Sequence, residues 1–67
     1  MTDLVIIRGE QPPSDANTFQ FADPTEPTRA EIARRVDAFA PMRPTGKVWL
    51  WLDVLNKWQM WIELEED

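Results

Sequence analysis

The chain has 67 residues, seven basic and twelve acidic, a net charge of −5, and neither Cys nor His. That length allows one domain, and a domain so small buries only about 60% of the surface its unfolded chain exposes. The missing Cys excludes disulfides and thiolate zinc sites, and the missing His removes the commonest metal ligand and the commonest general base.

The acidity is concentrated. Glu63, Glu65, Glu66 and Asp67 crowd the C-terminus, and the remaining residues are almost neutral. The expected organisation is one domain over 1–62 and an acidic tail over 63–67. No basic stripe is present to displace phosphate counterions, so direct nucleic-acid binding is not expected. The apolar run Leu4 to Ile7 is too short for a signal segment. The stretch Val48 to Ile62 carries Asp53, Asn56, Lys57 and Gln59, too polar and too short to span a bilayer. A cytoplasmic protein without a membrane partner is the expectation.

Along the chain, Leu4 to Arg8 contains three consecutive β-branched residues before Gly9, which predicts a strand. Pro12, Pro13, Ser14, Asp15 and Asn17 supply loop chemistry. Thr18 to Ala22 alternates, with Phe19 and Phe21 on one side and Gln20 on the other, and predicts a second strand. Thr28 followed by Glu31 forms a capping box, with Pro27 just outside the helix. Ile32, Val36 and Phe39 then form an apolar stripe, and Glu31 and Arg35 an i, i+4 pair. Pro41 ends this helix, and Pro44 and Gly46 are expected to make the next turn. About three helical turns cannot stand alone, so the helix needs a sheet to lie on.

All four tryptophans, Trp49, Trp51, Trp58 and Trp61, fall in the last twenty residues with no Gly or Pro among them. Two readings compete. One is a β-hairpin over 47–63 with Val54, Leu55 and Asn56 as its loop, Asn56 taking the left-handed position. Its register pairs Leu52 with Trp58, Leu50 with Met60 and Val48 with Ile62 on a wholly apolar face. The other face pairs Asp53 with Lys57, Trp51 with Gln59, Trp49 with Trp61 and Lys47 with Glu63. A one-residue slip would put Asp53 among the apolar side chains. The alternative is one amphipathic helix, with Trp51, Val54, Leu55, Trp58, Trp61 and Ile62 on one stripe. It leaves Trp49 on the polar side, and the hairpin is preferred. The expected class is therefore α+β: a small antiparallel sheet, in ββαββ order, with one short helix on one face.

The Leu50/Met60 face belongs to the fold, covered by Ile32, Val36 and Phe39. The Trp49, Trp51 and Trp61 face is either covered from within, by the Phe19/Phe21 segment or the Pro-rich loops, or left for a partner. Exposed aromatic patches mark interaction sites, and tryptophan is enriched at binding hot spots. The candidate partner-binding residues are Trp49, Trp51, Trp61, Gln59, Val54 and Leu55. No nucleophile–base pair, phosphate-binding loop or metal-ligand set is legible, so neither catalysis nor a cofactor is expected. Stacked tryptophans could in principle bind carbohydrate, but no repeat or calcium motif supports it.

The leading expectation is a non-enzymatic protein-interaction module. It would be an adaptor or inhibitor, of the compact cofactor-free kind common among phage and mobile-element accessory proteins. It would dock an aromatic face or apolar loop tip on a larger protein. Two alternatives stand beside it. One is an acidic nucleic-acid mimic that inhibits a host defence nuclease, as anti-restriction and anti-CRISPR proteins do. The other is a self-assembling structural or virion component, in which a second copy of the chain is the partner.

Overall fold

A computed structural model describes residues 3–66. The elements run β1 (Val5–Arg8), β2 (Thr18–Asp23), α1 (Arg29–Ala38), a 3-10 turn (Ala40–Met42), β3 (Pro44–Leu52) and β4 (Trp58–Leu64). They form a four-stranded sheet in the order β1-β3-β4-β2. The class is α+β. The expected ββαββ order is approached, with the 3-10 turn standing between α1 and β3. The wholly antiparallel sheet needs correction: β3–β4 and β2–β4 are antiparallel, but β1 pairs with β3 in parallel, so the sheet is mixed.

The C-terminal segment is a hairpin, not a helix. Trp58 pairs with Leu52, Met60 with Leu50, Ile62 with Val48, Gln59 with Trp51 and Trp61 with Trp49. The turn explains this register. The Asn56 N–H donates to the Asp53 carbonyl at 3.1 Å, and Asn56 takes φ 60°. Asn tolerates that left-handed conformation better than other residues with a Cβ. Below Val48 the register departs from the expected one. Pro44 pairs with Leu64 and Val48 with Ile62, so β3 carries extra residues between them. Pro44 and Gly46 therefore open β3 with a bulge instead of making a separate turn, and Gly46 takes φ 95°, open to glycine. Lys47 does not face Glu63 in this register. Its ammonium lies 5.2 Å from the Trp49 ring centroid, and Glu63 instead accepts the Thr45 hydroxyl at 2.8 Å.

Thr28 caps α1 as expected, its hydroxyl oxygen accepting the Glu31 N–H at 3.1 Å. The hydroxyl also points its proton to the Glu31 carboxylate at 3.3 Å. The helix ends at Ala38, before Pro41, whose ring occupies the 3-10 turn. Its apolar stripe lies on the sheet face made by Val48, Leu50, Met60, Ile62 and Leu64. With Ile32 and Val36 these form the core, flanked by Leu4, Ile6, Phe21, Phe39 and Trp58. Each such buried aliphatic side chain contributes about 1.5–3 kcal/mol. The bidentate pair of Arg35 and Asp23, both contacts at 2.7 Å, ties α1 to β2, and the Arg35 guanidinium also lies over Phe21. The Arg35 hydrogen bonds hold the Asp23 carboxyl below its ordinary value, against the opposing effect of burial.

Two crossings connect parallel strands. β1 and β2 run the same way at opposite edges, so residues 9–17 must return along the sheet before β2 can begin. The β2-to-β3 connection, carrying α1, returns likewise but travels across the sheet in the opposite direction. Such crossovers are right-handed almost without exception. With opposite directions of travel, that rule puts them on opposite faces: α1 on one, residues 9–17 on the tryptophan face.

Candidate functional site

The face opposite α1 carries Ile7 from β1, Lys47, Trp49 and Trp51 from β3, Gln59, Trp61 and Glu63 from β4, and Thr18, Gln20 and Ala22 from β2. A tryptophan on a bare sheet face would keep much of its ring in water. Trp49 is only 4% exposed. It stands at the centre of the sheet, between Ile7 and Trp61, with Lys47 over its ring. Pro12 and Ala16 of the crossing are half-buried, and the Ala16 N–H closes a turn onto the Pro13 carbonyl at 3.0 Å. The Pro-rich loop is thus the cover for this face. The Phe19/Phe21 segment is not, because both rings lie on the helix side against Phe39, at 4.9 and 5.7 Å between centroids.

The six sequence-predicted contact residues therefore separate. Trp49 is a core residue of the second face. Trp51, Trp61 and Gln59 are half-buried around it. Val54 and Leu55 sit at the hairpin tip, 97% and 73% exposed. An exposed aliphatic pair in a tight turn is unfavourable to hydration, yet the turn holding it is firmly built. The Asp53 carboxylate accepts the N–H groups of Leu55 at 2.8 Å and Lys57 at 3.0 Å, and the Gln59 side-chain amide at 2.9 Å. The Asp53 N–H also donates to the Lys57 carbonyl at 3.0 Å. These bonds, that from Gln59 foremost, hold the Asp53 carboxyl below its ordinary value. The Gln59 side-chain oxygen in turn accepts from the Gln20 side-chain amide at 2.8 Å, so a polar row crosses from the turn to β2.

The acidic residues do not form one free tail. Glu63 lies within β4, and Leu64 after it is part of the core. The Glu65 N–H donates to the Arg43 carbonyl at 2.9 Å, and its own carbonyl accepts from the Asn17 amide at 3.3 Å. Asp67, the last residue of the expected tail, lies outside the described residues. A groove of about 260 Å³ opens at this end, lined by Asn17, Pro41, Met42, Arg43, Leu64 and Glu65. It falls below the range usual for small-molecule sites. Among the described residues no cluster of three or more carboxylates has metal-holding geometry, and no helix is long and apolar enough to cross a membrane.

The sequence does not show that β2 lies at an edge of the sheet. Its alternation identified a strand, but alternation does not reveal whether a strand has one neighbour or two. Comparison with protein families, curated proteins and solved structures finds no match for this chain.

Proposed function

We propose that this protein is a non-enzymatic interaction module, of the adaptor or inhibitor kind. Its hairpin tip docks an apolar pocket of a larger protein. The observation that carries this reading is the pairing of an exposed Val54–Leu55 tip with a turn locked by the Asp53 carboxylate. Exposed apolar side chains on a flexible loop would pay ordering entropy on binding; on a preorganised turn that cost is small. Trp51, Trp61 and Gln59 flank the approach on one face and give the rim its mixed character. Cofactor-free docking of this kind needs no ionisable group in a cleft. The cytoplasmic setting and the accessory-protein role belong to the same proposal.

The test is photo-crosslinking in cells of the source organism, with a photoreactive residue at position 54, 55 or 34. Arg34 is exposed on the outer side of α1 and serves as the control. One common adduct from positions 54 and 55 is expected, competed by excess wild type and not by a Val54→Ser, Leu55→Ser double variant. The same adduct from position 34, or competition by the double variant, would sink the reading. An acidic-decoy function is tested by truncation after Leu64, since any earlier cut opens the core. A decoy would lose partner affinity on truncation and bind with a steep salt dependence.

A further inference from the structure

The two edges of the sheet are built differently. β1 has four residues, and its flanks are held by charge: Arg8 pairs with Glu26, and Arg29 donates to the Leu4 carbonyl at 3.4 Å. β2 has six residues, TFQFAD, with no Lys, Arg or Pro within it and no bulge in its pairing to β4. Phe19 on this edge is 47% exposed. Short strands, charges, prolines and bulges are the usual devices that keep an edge from pairing with another chain. β2 carries only Asp23, at its last position, and that carboxylate is held by Arg35.

The hydrogen-bond phase of this edge is determined. The Leu64 N–H donates to the Asn17 carbonyl at 2.8 Å. In an antiparallel ladder the bonded pairs then fall at every second residue, so Phe19, Phe21 and Asp23 bond to β4. The N–H and C=O groups of Thr18, Gln20 and Ala22 point out of the sheet. Consider a second copy brought to this edge by a two-fold axis at Gln20. Gln20 then faces Gln20 of the other copy, and Thr18 faces Ala22 in both directions. Every outward donor of the strand meets an outward acceptor. Phe19 lies directly opposite Phe21 on the helix side, extending the cluster that Phe19 already makes with Phe21 and Phe39. Asp23 faces Asn17, so no like charges meet. Sliding by two residues would put Thr18 against Pro24, which has no N–H to donate.

From this self-complementarity we infer that β2 is a homodimer interface, joining two four-stranded sheets into one continuous eight-stranded sheet. Antiparallel pairing across a two-fold keeps both α1 helices on one face and both tryptophan faces on the other. It turns the two hairpin tips to opposite ends. This interface uses none of the tip residues, so it stands or falls independently of the docking reading.

Sedimentation equilibrium from micromolar to millimolar chain tests it. The wild type is expected at twice the chain mass of 7.8 kDa. Gln20→Pro removes an N–H that β4 does not use, a position where an edge strand accepts proline. Its circular dichroism should match wild type while its dimer dissociation constant rises at least about tenfold, from the loss of two central hydrogen bonds. Single-residue cysteine variants supply a second readout, because the chain has no other Cys. Gln20→Cys should oxidise to a covalent dimer, since bonded antiparallel pairs have Cα atoms at disulfide range, and Arg8→Cys on the other edge should not. A wild type that stays at single-chain mass throughout overturns the inference and leaves the edge for an extended segment of another protein. Equal crosslinking of both cysteine variants overturns it as well.

Discussion

The two faces of this sheet are closed by different means. On one, a regular helix lays Ile32 and Val36 over Val48, Leu50, Met60 and Ile62. On the other, an irregular crossing of nine residues covers one tryptophan at the sheet centre and leaves its neighbours half open. A chain of this length has no residues for a third regular layer. A tryptophan supplies 150–250 Å² of burial from one position, so a single large ring, a lysine stem and a Pro-rich loop can close a face that would otherwise need a second helix. The lesson is that the aromatic richness of the C-terminal segment serves structure at its centre and leaves half-open rings at its margins.

Substitution separates these roles, and the largest effect belongs to Trp49. Trp49→Ala should cost about 3–5 kcal/mol in urea unfolding, as much as Met60→Ala on the helix face. A loss below about 1 kcal/mol would mean that the second face is not a core. In a domain whose whole stability is about 3–10 kcal/mol, this variant is expected to lie near the unfolding threshold. Trp51→Ala and Trp61→Ala remove half-buried rings and should each cost about 1–2 kcal/mol, with acrylamide quenching strongest at these positions and weakest at Trp49.

Acid unfolding compares the carboxylates of the two regions. Asp23 is held by Arg35 on the helix side, and Asp53 by Gln59 and the turn N–H groups on the hairpin. Both carboxyls lie below the ordinary value of 3.8 in the folded state. The unfolded chain therefore takes up protons first, and the stabilisation is fully present above 3.8 and lost as pH falls through the lower folded values. Melting temperature should be flat in neutral solution and drop below about pH 4. Asp23→Asn and Asp53→Asn should each lower the neutral plateau and make the acid limb shallower. A limb unchanged in both variants would assign the acid response to other groups. The smallest effect is expected at the tip: Val54→Ser and Leu55→Ser should change stability by less than about 0.5 kcal/mol, because both side chains are largely exposed. A larger loss would make the tip part of the fold and remove the basis for its docking role.

Much of the hairpin was legible because its determinants are local. The period-two alternation of Val48 to Leu52 and Trp58 to Leu64, the Asp53 carboxylate and the left-handed Asn56 all act within a dozen residues. They agree on one register down to Val48. The bulge below it is not legible, because Gly46 and Pro44 read equally well as a turn. The helix was legible for the same local reasons, from the Thr28 cap to the stop at Pro41. For the candidate contact set only the exposure was legible, and only in part: Val54 and Leu55 are exposed, whereas Trp49 is buried on a face whose cover is a loop, and the sequence of that segment shows only that it is a loop.

By itself the sequence carried the first two strands, the helix and, as the preferred of two readings, the hairpin pairing above the bulge with the apolar face that meets α1, because these depend on side-chain period and turn chemistry between near neighbours. Tertiary structure alone decided that β1 joins β3 in parallel, that residues 9–17 cross the tryptophan face, and that β2 is left with an open edge. Strand order and crossing side are set by how distant segments share one sheet, and a strand's alternation is the same whether it has one neighbour or two. The tryptophan segment thus carries its own register, but what lies over it, and which edge is open beside it, comes from the other half of the chain.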